Sequence, residues 1–213
     1  MSGEDVAGYV GALFAPEDAV LRQVRAQHVE ADLPAIHVSA DEGKILHTLM
    51  RAIGARRVLE VGTLGGYSGI WLARALPRDG RLVTIEGSPR HAAVAQQAFH
   101  QAGLADRIDL LVGEARDTLA TVAGPFDAVF LDADKAPLPD YFALVMPLLR
   151  SGGLLLCDNT FMDGRIAAPP SPADAADLAG MRAFNALCAA DPRLVTAVIP
   201  VRDGLLVAVK VAD

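Results

Sequence analysis

The sequence is short of cysteine, of aromatic side chains and of positive charge, and each shortage removes a class of explanation. Cys157 and Cys188 are the two thiols in 213 residues. They form no Cys-x-x-Cys pair and no disulfide framework, so each is expected as a small buried apolar residue. Aromatics make up 5% of the chain, with Trp71 the single tryptophan. The core must therefore be built from aliphatic side chains and abundant alanine, which suits helices packed closely on a sheet. A formal net charge of −7 lacks the basic excess of nucleic-acid and anionic-membrane binders. No apolar run reaches the ~20 residues of a membrane span. The opening Met-Ser-Gly-Glu-Asp has neither the basic nor the apolar stretch of a secretory signal, so a cytoplasmic protein is expected. His28, His37, His47, His91 and His100 show no metal-ligand spacing and are read as structural.

What is present is a chain 52% apolar and 21% charged, enough for a sizeable core. One domain over 1–213 is expected, with 1–34 as an N-terminal helical cap and 35–213 as the core. Apolar spacing predicts helices over Glu4–Phe14 and Pro16–Ala31. Ser39-x-x-Glu42 has the form of a capping box and opens a helix reaching about Ile53. From Arg57 strands and helices alternate. Strands are predicted at Arg57–Val61, Arg81–Ile85, Ile108–Val112, Phe126–Leu131 and Gly153–Cys157, as near-continuous apolar runs. Helices are predicted at Ser68–Leu76, Pro89–Ala102, Glu114–Val122, Leu138–Leu149 and Ala173–Ala190. Leu194–Pro200 and Leu205–Val211 are joined by so short a turn that they must be antiparallel. The fold class is α/β: a Rossmann-like, doubly wound, seven-stranded sheet, mostly parallel with a C-terminal antiparallel hairpin and helices on both faces. The proline-rich Ala167–Pro172 is the candidate for a mobile lid.

Chemistry gathers first at Glu60-x-Gly62-x-x-x-Gly66, a strand running into a glycine turn and a helix. Such a turn cradles a nucleotide at the carboxyl end of a sheet. Glu60 would repel a pyrophosphate and welcome a cation. Glu86 ends the next strand about 20 residues beyond the last glycine, where a carboxylate can take a ribose diol. Gly113-Glu-Ala115 follows the third strand, where small groups could frame an adenine. Each feature alone is ordinary: a tight turn, a helix cap. Together they favour an adenosyl cofactor, and Glu60 favours S-adenosylmethionine over NAD because the former carries an ammonium and a sulfonium and no phosphate.

Ser39–Gly43, Val58–Ser68, Leu131-Asp-Ala-Asp-Lys135 and Cys157-Asp-Asn-Thr160 resemble the cation-dependent class I O-methyltransferases, the caffeoyl-CoA and catechol O-methyltransferase family. Phe184-Asn185, Asp191-Pro-Arg193 and Asp203-Gly204 resemble that family's tail. The likeness runs from about residue 35 to the C-terminus. It implies that Glu60 and Gly62 hold the methionine part of S-adenosylmethionine, with Thr63, Gly66 and Tyr67 of the same loop beside them. It implies that Ser68 bonds the cofactor carboxylate, that Glu86 takes the ribose, that Ala115 lies at the adenine, and that Val38 and Asp134 complete the pocket. Valine at 38 leaves only main-chain contacts there, where plant members often carry a hydroxyl.

Asp132 ends the fourth strand, and Asp158 and Asn159 end the fifth. Two carboxylates and an amide oxygen at neighbouring strand ends form a hard, all-oxygen partial shell suited to Mg²⁺, Mn²⁺ or Ca²⁺; spacing alone leaves open that the acids merely cap loops. The resemblance implies the metal role for Asp132, Asp158 and Asn159 and makes Lys135 the general base. The expected activity is O-methylation of small catechol-like phenols by S-adenosylmethionine, in a homodimer with the N-terminal helices as interface. Two alternatives differ in class: a methyltransferase acting on carboxymethoxy wobble uridine of tRNA, against which the acidic charge counts, and an NAD(P) oxidoreductase, against which Glu60 and the hairpin count. A relative that binds the cofactor without catalysis is opposed by the intact Asp132, Lys135, Asp158 and Asn159.

Overall fold

In the computed structural model, which describes residues 3–212, the strands are β1 (Arg57–Val61), β2 (Arg81–Glu86), β3 (Ile108–Val112), β4 (Phe126–Leu131), β5 (Leu149–Cys157), β6 (Leu194–Ile199) and β7 (Leu205–Lys210). They form one sheet in the order β3-β2-β1-β4-β5-β7-β6. The β2–β3, β1–β4 and β4–β5 pairs are parallel, and β7 runs antiparallel to both β5 and β6. The expected parallel sheet closed by an antiparallel hairpin is therefore what forms. The helices are α1 (Gly3–Phe14), α2 (Ala19–Glu30), α3 (Ala40–Ala52), α4 (Tyr67–Ala75), α5 (Pro89–Gln101), α6 (Ala115–Leu119), α7 (Leu138–Val145) and α8 (Ala175–Ala190).

The chain divides into two compact units. One unit is the described chain up to Arg56 together with Thr63–Val112. Its α3 begins with the expected capping box: the Glu42 N–H donates to the Ser39 hydroxyl at 3.3 Å and the Ser39 N–H donates to the Glu42 carboxylate at 3.1 Å. Helix α3 lies close on α4 at Gly43, where a Cβ would collide with the Trp71 ring. Trp71 is thus a core residue. Helix α2 starts later than Pro16. Asp18 caps it, accepting from the Leu21 N–H at 2.9 Å, and a carboxylate that satisfies an orphan donor defines the start better than a proline two residues upstream.

The other unit is Arg57–Gly62 with Gly113 onward. Consecutive residues of β1, β4 and the end of β5 are all buried, so this part of the sheet is covered on both faces. Helices α6 and α7 are shorter than expected. Leu149 belongs to β5 and pairs with Phe126, with a register shift before Ala128; the strand ladder claims apolar residues whose spacing also fits a helix. Lys210 is buried and donates to the carbonyls of Met146 and Leu149 at 3.2 and 2.8 Å. Both cysteines are free and buried, as expected. The proline-rich loop is tied down on both sides: Arg182 donates to the carbonyls of Ile166 and Ala168, and Arg165 pairs with Asp174 at 2.7 Å.

Candidate active site

Strand register decides what meets at the carboxyl end of β1, β4 and β5. Val61 pairs with Leu131, and Leu131 with Cys157. The next peptide continues the ladder, with the Asp132 N–H donating to Val61 at 2.8 Å and the Asp158 N–H donating to Leu131 at 3.1 Å. Asp132 and Asp158 thereby leave adjacent strands at the same level. Gly62, at the end of β1, has φ +98°, and a Cβ there would collide with the backbone carbonyl of Asp132. Only glycine lets β1 exit so close to β4. Glu60, one turn of pleat earlier, is completely buried opposite Phe130.

Lys135 folds back onto Asp132, Nζ to Oδ1 at 3.2 Å. Burial pushes its pKa down, but Asp132 first, then Cys157 and Asp158, more than offset this and hold it above the ordinary lysine value. The Cys157 thiol is pushed up to about 12 by burial, so it stays a neutral thiol. Two carboxylates against one ammonium leave the group with surplus negative charge. The loop carrying Lys135 is fixed by α8: Gly180 packs so tightly that a Cβ would strike the Lys135 carbonyl, and the Ala136 N–H donates to Asp177 at 3.1 Å. Neither anchor was apparent in the sequence, because each joins residues more than forty positions apart and resembles a routine helix residue.

The chain after Asp158 is bent. Asn159, Met162 and Asp163 have φ of +60°, +53° and +54°. Three non-glycine residues in the left-handed region within five positions mark a strained loop held by its surroundings. The Asn159 N–H donates to Asp158 Oδ1 at 2.6 Å. Asn185, on α8, donates to the Thr160 carbonyl at 3.3 Å. Beside this loop lies a cavity of about 520 Å³ lined by Asn159, Phe161, Asp163, Ile166, Arg202 and Asp203. Among the described residues no three His, Cys, Asp or Glu side chains converge as a metal cluster. The candidate ligands are two carboxylates and one amide, a donor set of hard oxygens that fits a divalent cation completed by water and acceptor and does not fit a closed zinc site.

In the first unit the glycine loop is tied to Glu86. Its Oε2 accepts from the N–H groups of Thr63 and Leu64 at 3.2 and 2.8 Å, and its Oε1 accepts from the Ser88 N–H at 2.9 Å and lies 3.4 Å from His91 Nδ1. Glu86 is thus an anchor of the loop, a role its position at a strand end did not reveal. The Thr63 hydroxyl shares a 2.6 Å hydrogen bond with Thr84. Gly66, at φ +86°, heads α4, and a Cβ on it would come within 2.7 Å of Phe99. Tyr67 is buried with its hydroxyl donating to Glu17 at 2.7 Å, and burial together with that carboxylate pushes its pKa up. Its ring meets His37, whose own ring meets the buried His28. Ser68 and Val38 are buried, Ala115 is half-buried at the start of α6, and Asp134 is exposed.

The chain as a whole is also similar to known proteins. A family model described as O-methyltransferase matches residues 12–211. A catechol O-methyltransferase of Niastella koreensis is 43% identical over 88% of this chain and 86% of its own, and a catechol O-methyltransferase of Mycobacterium tuberculosis is 46% identical over 80% and 78%. The crystal structure of the O-methyltransferase TomG from Streptomyces achromogenes, involved in tomaymycin synthesis and solved in complex with SAM, superposes with a TM-score of 0.91 at 39% identity, covering 100% of both chains. A family model spanning nearly the whole sequence, and relatives this similar over most of their length, leave no place for an oxidoreductase: the chain belongs to the O-methyltransferase family.

Proposed function

We propose that this enzyme transfers the methyl group of S-adenosylmethionine to a hydroxyl of a small catechol-like phenol, with a divalent cation held by Asp132, Asp158 and Asn159. The observation that carries the proposal is the strand register that brings Asp132 and Asp158 out of the sheet side by side with Lys135 on Asp132. The names of the similar proteins support the acceptor class, and the TomG complex supports the donor. Glu60 is suited to the cationic part of that donor, and the roles expected for Val38, Gly62, Thr63, Gly66, Tyr67, Ser68, Glu86, Ala115 and Asp134 belong to the same proposal. A bound Mg²⁺, Mn²⁺ or Ca²⁺ would supply the Lewis acidity that lowers the pKa of an acceptor hydroxyl and fixes its oxygen in place. Lys135 takes the acceptor proton, a role that requires the surplus negative charge of Asp132 and Asp158 to be drawn elsewhere. The acceptor oxygen bonds to the methyl carbon as the carbon–sulfur bond breaks, leaving a neutral thioether. Phe161 and Ile166 offer the adjoining cavity an apolar wall for an aromatic ring. Exposed Val6, Tyr9, Leu13 and Phe14 on α1 support a homodimer formed through the N-terminal helices. No described helix is long and apolar enough to cross a membrane.

The test is methyl transfer from labelled S-adenosylmethionine to catechol, caffeate, a monophenol and wobble-modified tRNA, each with Mg²⁺ and with EDTA. Catechols should turn over with Mg²⁺ and stop with EDTA. Asp158→Ala should abolish turnover while binding S-adenosylhomocysteine nearly as well as wild type. Undiminished catechol methylation in EDTA would rule out the metal-assisted route, and methylation of the tRNA alone would replace the acceptor.

A further inference from the structure

The turn between β6 and β7 does more than reverse the chain. Its backbone grips the loop that follows Asp158: the Thr160 N–H donates to the Gly204 carbonyl at 3.0 Å and the Phe161 N–H to the Asp203 carbonyl at 2.9 Å. The Asp203 side chain adds a further bond: its Oδ1 accepts from the Asp163 N–H at 2.6 Å. Its carboxylate and the Asn159 side chain line the same cavity, and the Asn159 amide opposes the burial that pushes the Asp203 pKa up. Gly204, at φ +84°, packs against the Phe161 ring, where a Cβ would come within 2.8 Å. The left-handed residues Asn159, Met162 and Asp163 are therefore over-determined by the hairpin turn, which is the condition for such strain to persist.

We infer that Asp203 is a positioning residue that selects which end of the Asn159 amide faces the metal site. An asparagine amide has one acceptor end and one donor end, and they can be exchanged by a half-turn about the last side-chain bond. Only the oxygen can ligate a cation. A carboxylate on the other side of the amide accepts from the NH₂ and repels the oxygen, so Asp203 admits one orientation and rejects the other. The amide is planar, so fixing its nitrogen on Asp203 fixes its oxygen away from Asp203. Groups that orient a ligand in this way commonly change metal affinity by about 10–100-fold when removed. The inference rests on Asn159 being a metal ligand, as proposed above.

The experiment is a Mn²⁺ titration, read by the spin-resonance signal of the free ion, in the presence of S-adenosylhomocysteine. It uses the full chain as wild type, Asp158→Ala, Asp203→Leu, Asn159→Asp and the double variant Asp203→Leu with Asn159→Asp. Wild type should bind Mn²⁺ and Asp158→Ala should not. Asp203→Leu should weaken Mn²⁺ about 10–100-fold while cofactor-product binding and melting temperature hold. Asp203→Asn serves where leucine lowers the melting temperature: it keeps an acceptor for Asp163 but can turn either end of its own amide towards Asn159, so it should weaken Mn²⁺ in the same direction. The double variant is the decisive arm. A carboxylate at 159 has two equivalent oxygens and needs no orientation, so Asn159→Asp should recover affinity in the Asp203→Leu background. With Asp203 present, the same change sets two carboxylates face to face and should gain far less. Mn²⁺ affinity within twofold of wild type in Asp203→Leu overturns the inference, as does an equal effect of Asn159→Asp in both backgrounds. Failure of the wild type to bind Mn²⁺, or normal binding by Asp158→Ala, overturns the metal reading itself and this inference with it.

Discussion

At the scale of single residues, Gly62 shows how a backbone requirement becomes a chemical one. Its φ of +98° is costly for any side chain, and its missing Cβ is the space occupied by the Asp132 carbonyl. That carbonyl cannot retreat, because the Asp132 N–H is held on Val61 and Asp132 follows the buried run Ala128–Leu131 of β4. Gly62→Ala should therefore cost both conformational strain and a collision, about 2–4 kcal/mol together. Gly164 is the control: its φ is +79°, yet nothing lies within 4 Å of a Cβ there, so Gly164→Ala should cost only the strain, about 1–2 kcal/mol. Urea denaturation of both variants checks this; equal losses would show that the approach of β1 to β4 carries no penalty of its own. The sequence marked Gly62 by its place in a glycine turn. It could not show the second reason, since Asp132 lies seventy positions away.

At the scale of elements, strands were more legible than helices, and loops least of all. β1, β3 and β4 end where the apolar runs end; β1 and β4 are covered on both faces, which favours near-continuous apolar sequence, while β3 is the half-exposed edge strand. α2 and α7 are shorter than predicted, because an N-cap at Asp18 and the ladder beginning at Leu149 set their boundaries, and α6 is shorter as well. The glycine loop was legible as a loop, but not as one fastened to Glu86. Three backbone N–H groups, of Thr63, Leu64 and Ser88, donate to that one carboxylate. Glu86→Ala should orphan them and loosen the loop, lowering stability by about 2–4 kcal/mol and weakening S-adenosylhomocysteine binding. Glu86→Gln keeps one acceptor oxygen and turns an NH₂ towards the remaining donors, so it should fall between. Calorimetry showing unchanged affinity in Glu86→Ala would remove Glu86 from cofactor binding, whatever the change in stability.

At the scale of the whole molecule, fold class and chemistry were legible together because the same strand ends carry both: the runs that build the sheet finish on Glu60-x-Gly62, Asp132 and Asp158-Asn159. What was not legible is how histidines read as structural are placed. His28 is buried against Gly65, where a Cβ would collide with its ring, and His91 stands beside Glu86. Burial pushes the His28 pKa down, the Gly65 backbone opposes this, and His37 and His91 add to it, so the folded value lies below the ordinary one. An unfolded chain has histidine at about 6.5. As pH falls through that value, the unfolded state takes up a proton that the folded state refuses, so stability is full above about 6.5 and declines as pH drops towards the folded pKa. The loss attributable to His28 can reach about 1.4 kcal/mol per pH unit within that window. Asp18 and Asp191, held below the ordinary carboxylate value, lose their contributions only at lower pH, so the two effects separate. Urea unfolding at pH 7, 6 and 5 should show wild type weakening across the series. His28→Gln cannot take up the proton and should show a flatter profile, even if its stability at pH 7 is lower. Parallel profiles for the two proteins would mean that His28 is not held neutral by the fold, and the slope would then have to come from His47, whose pKa burial also pushes down.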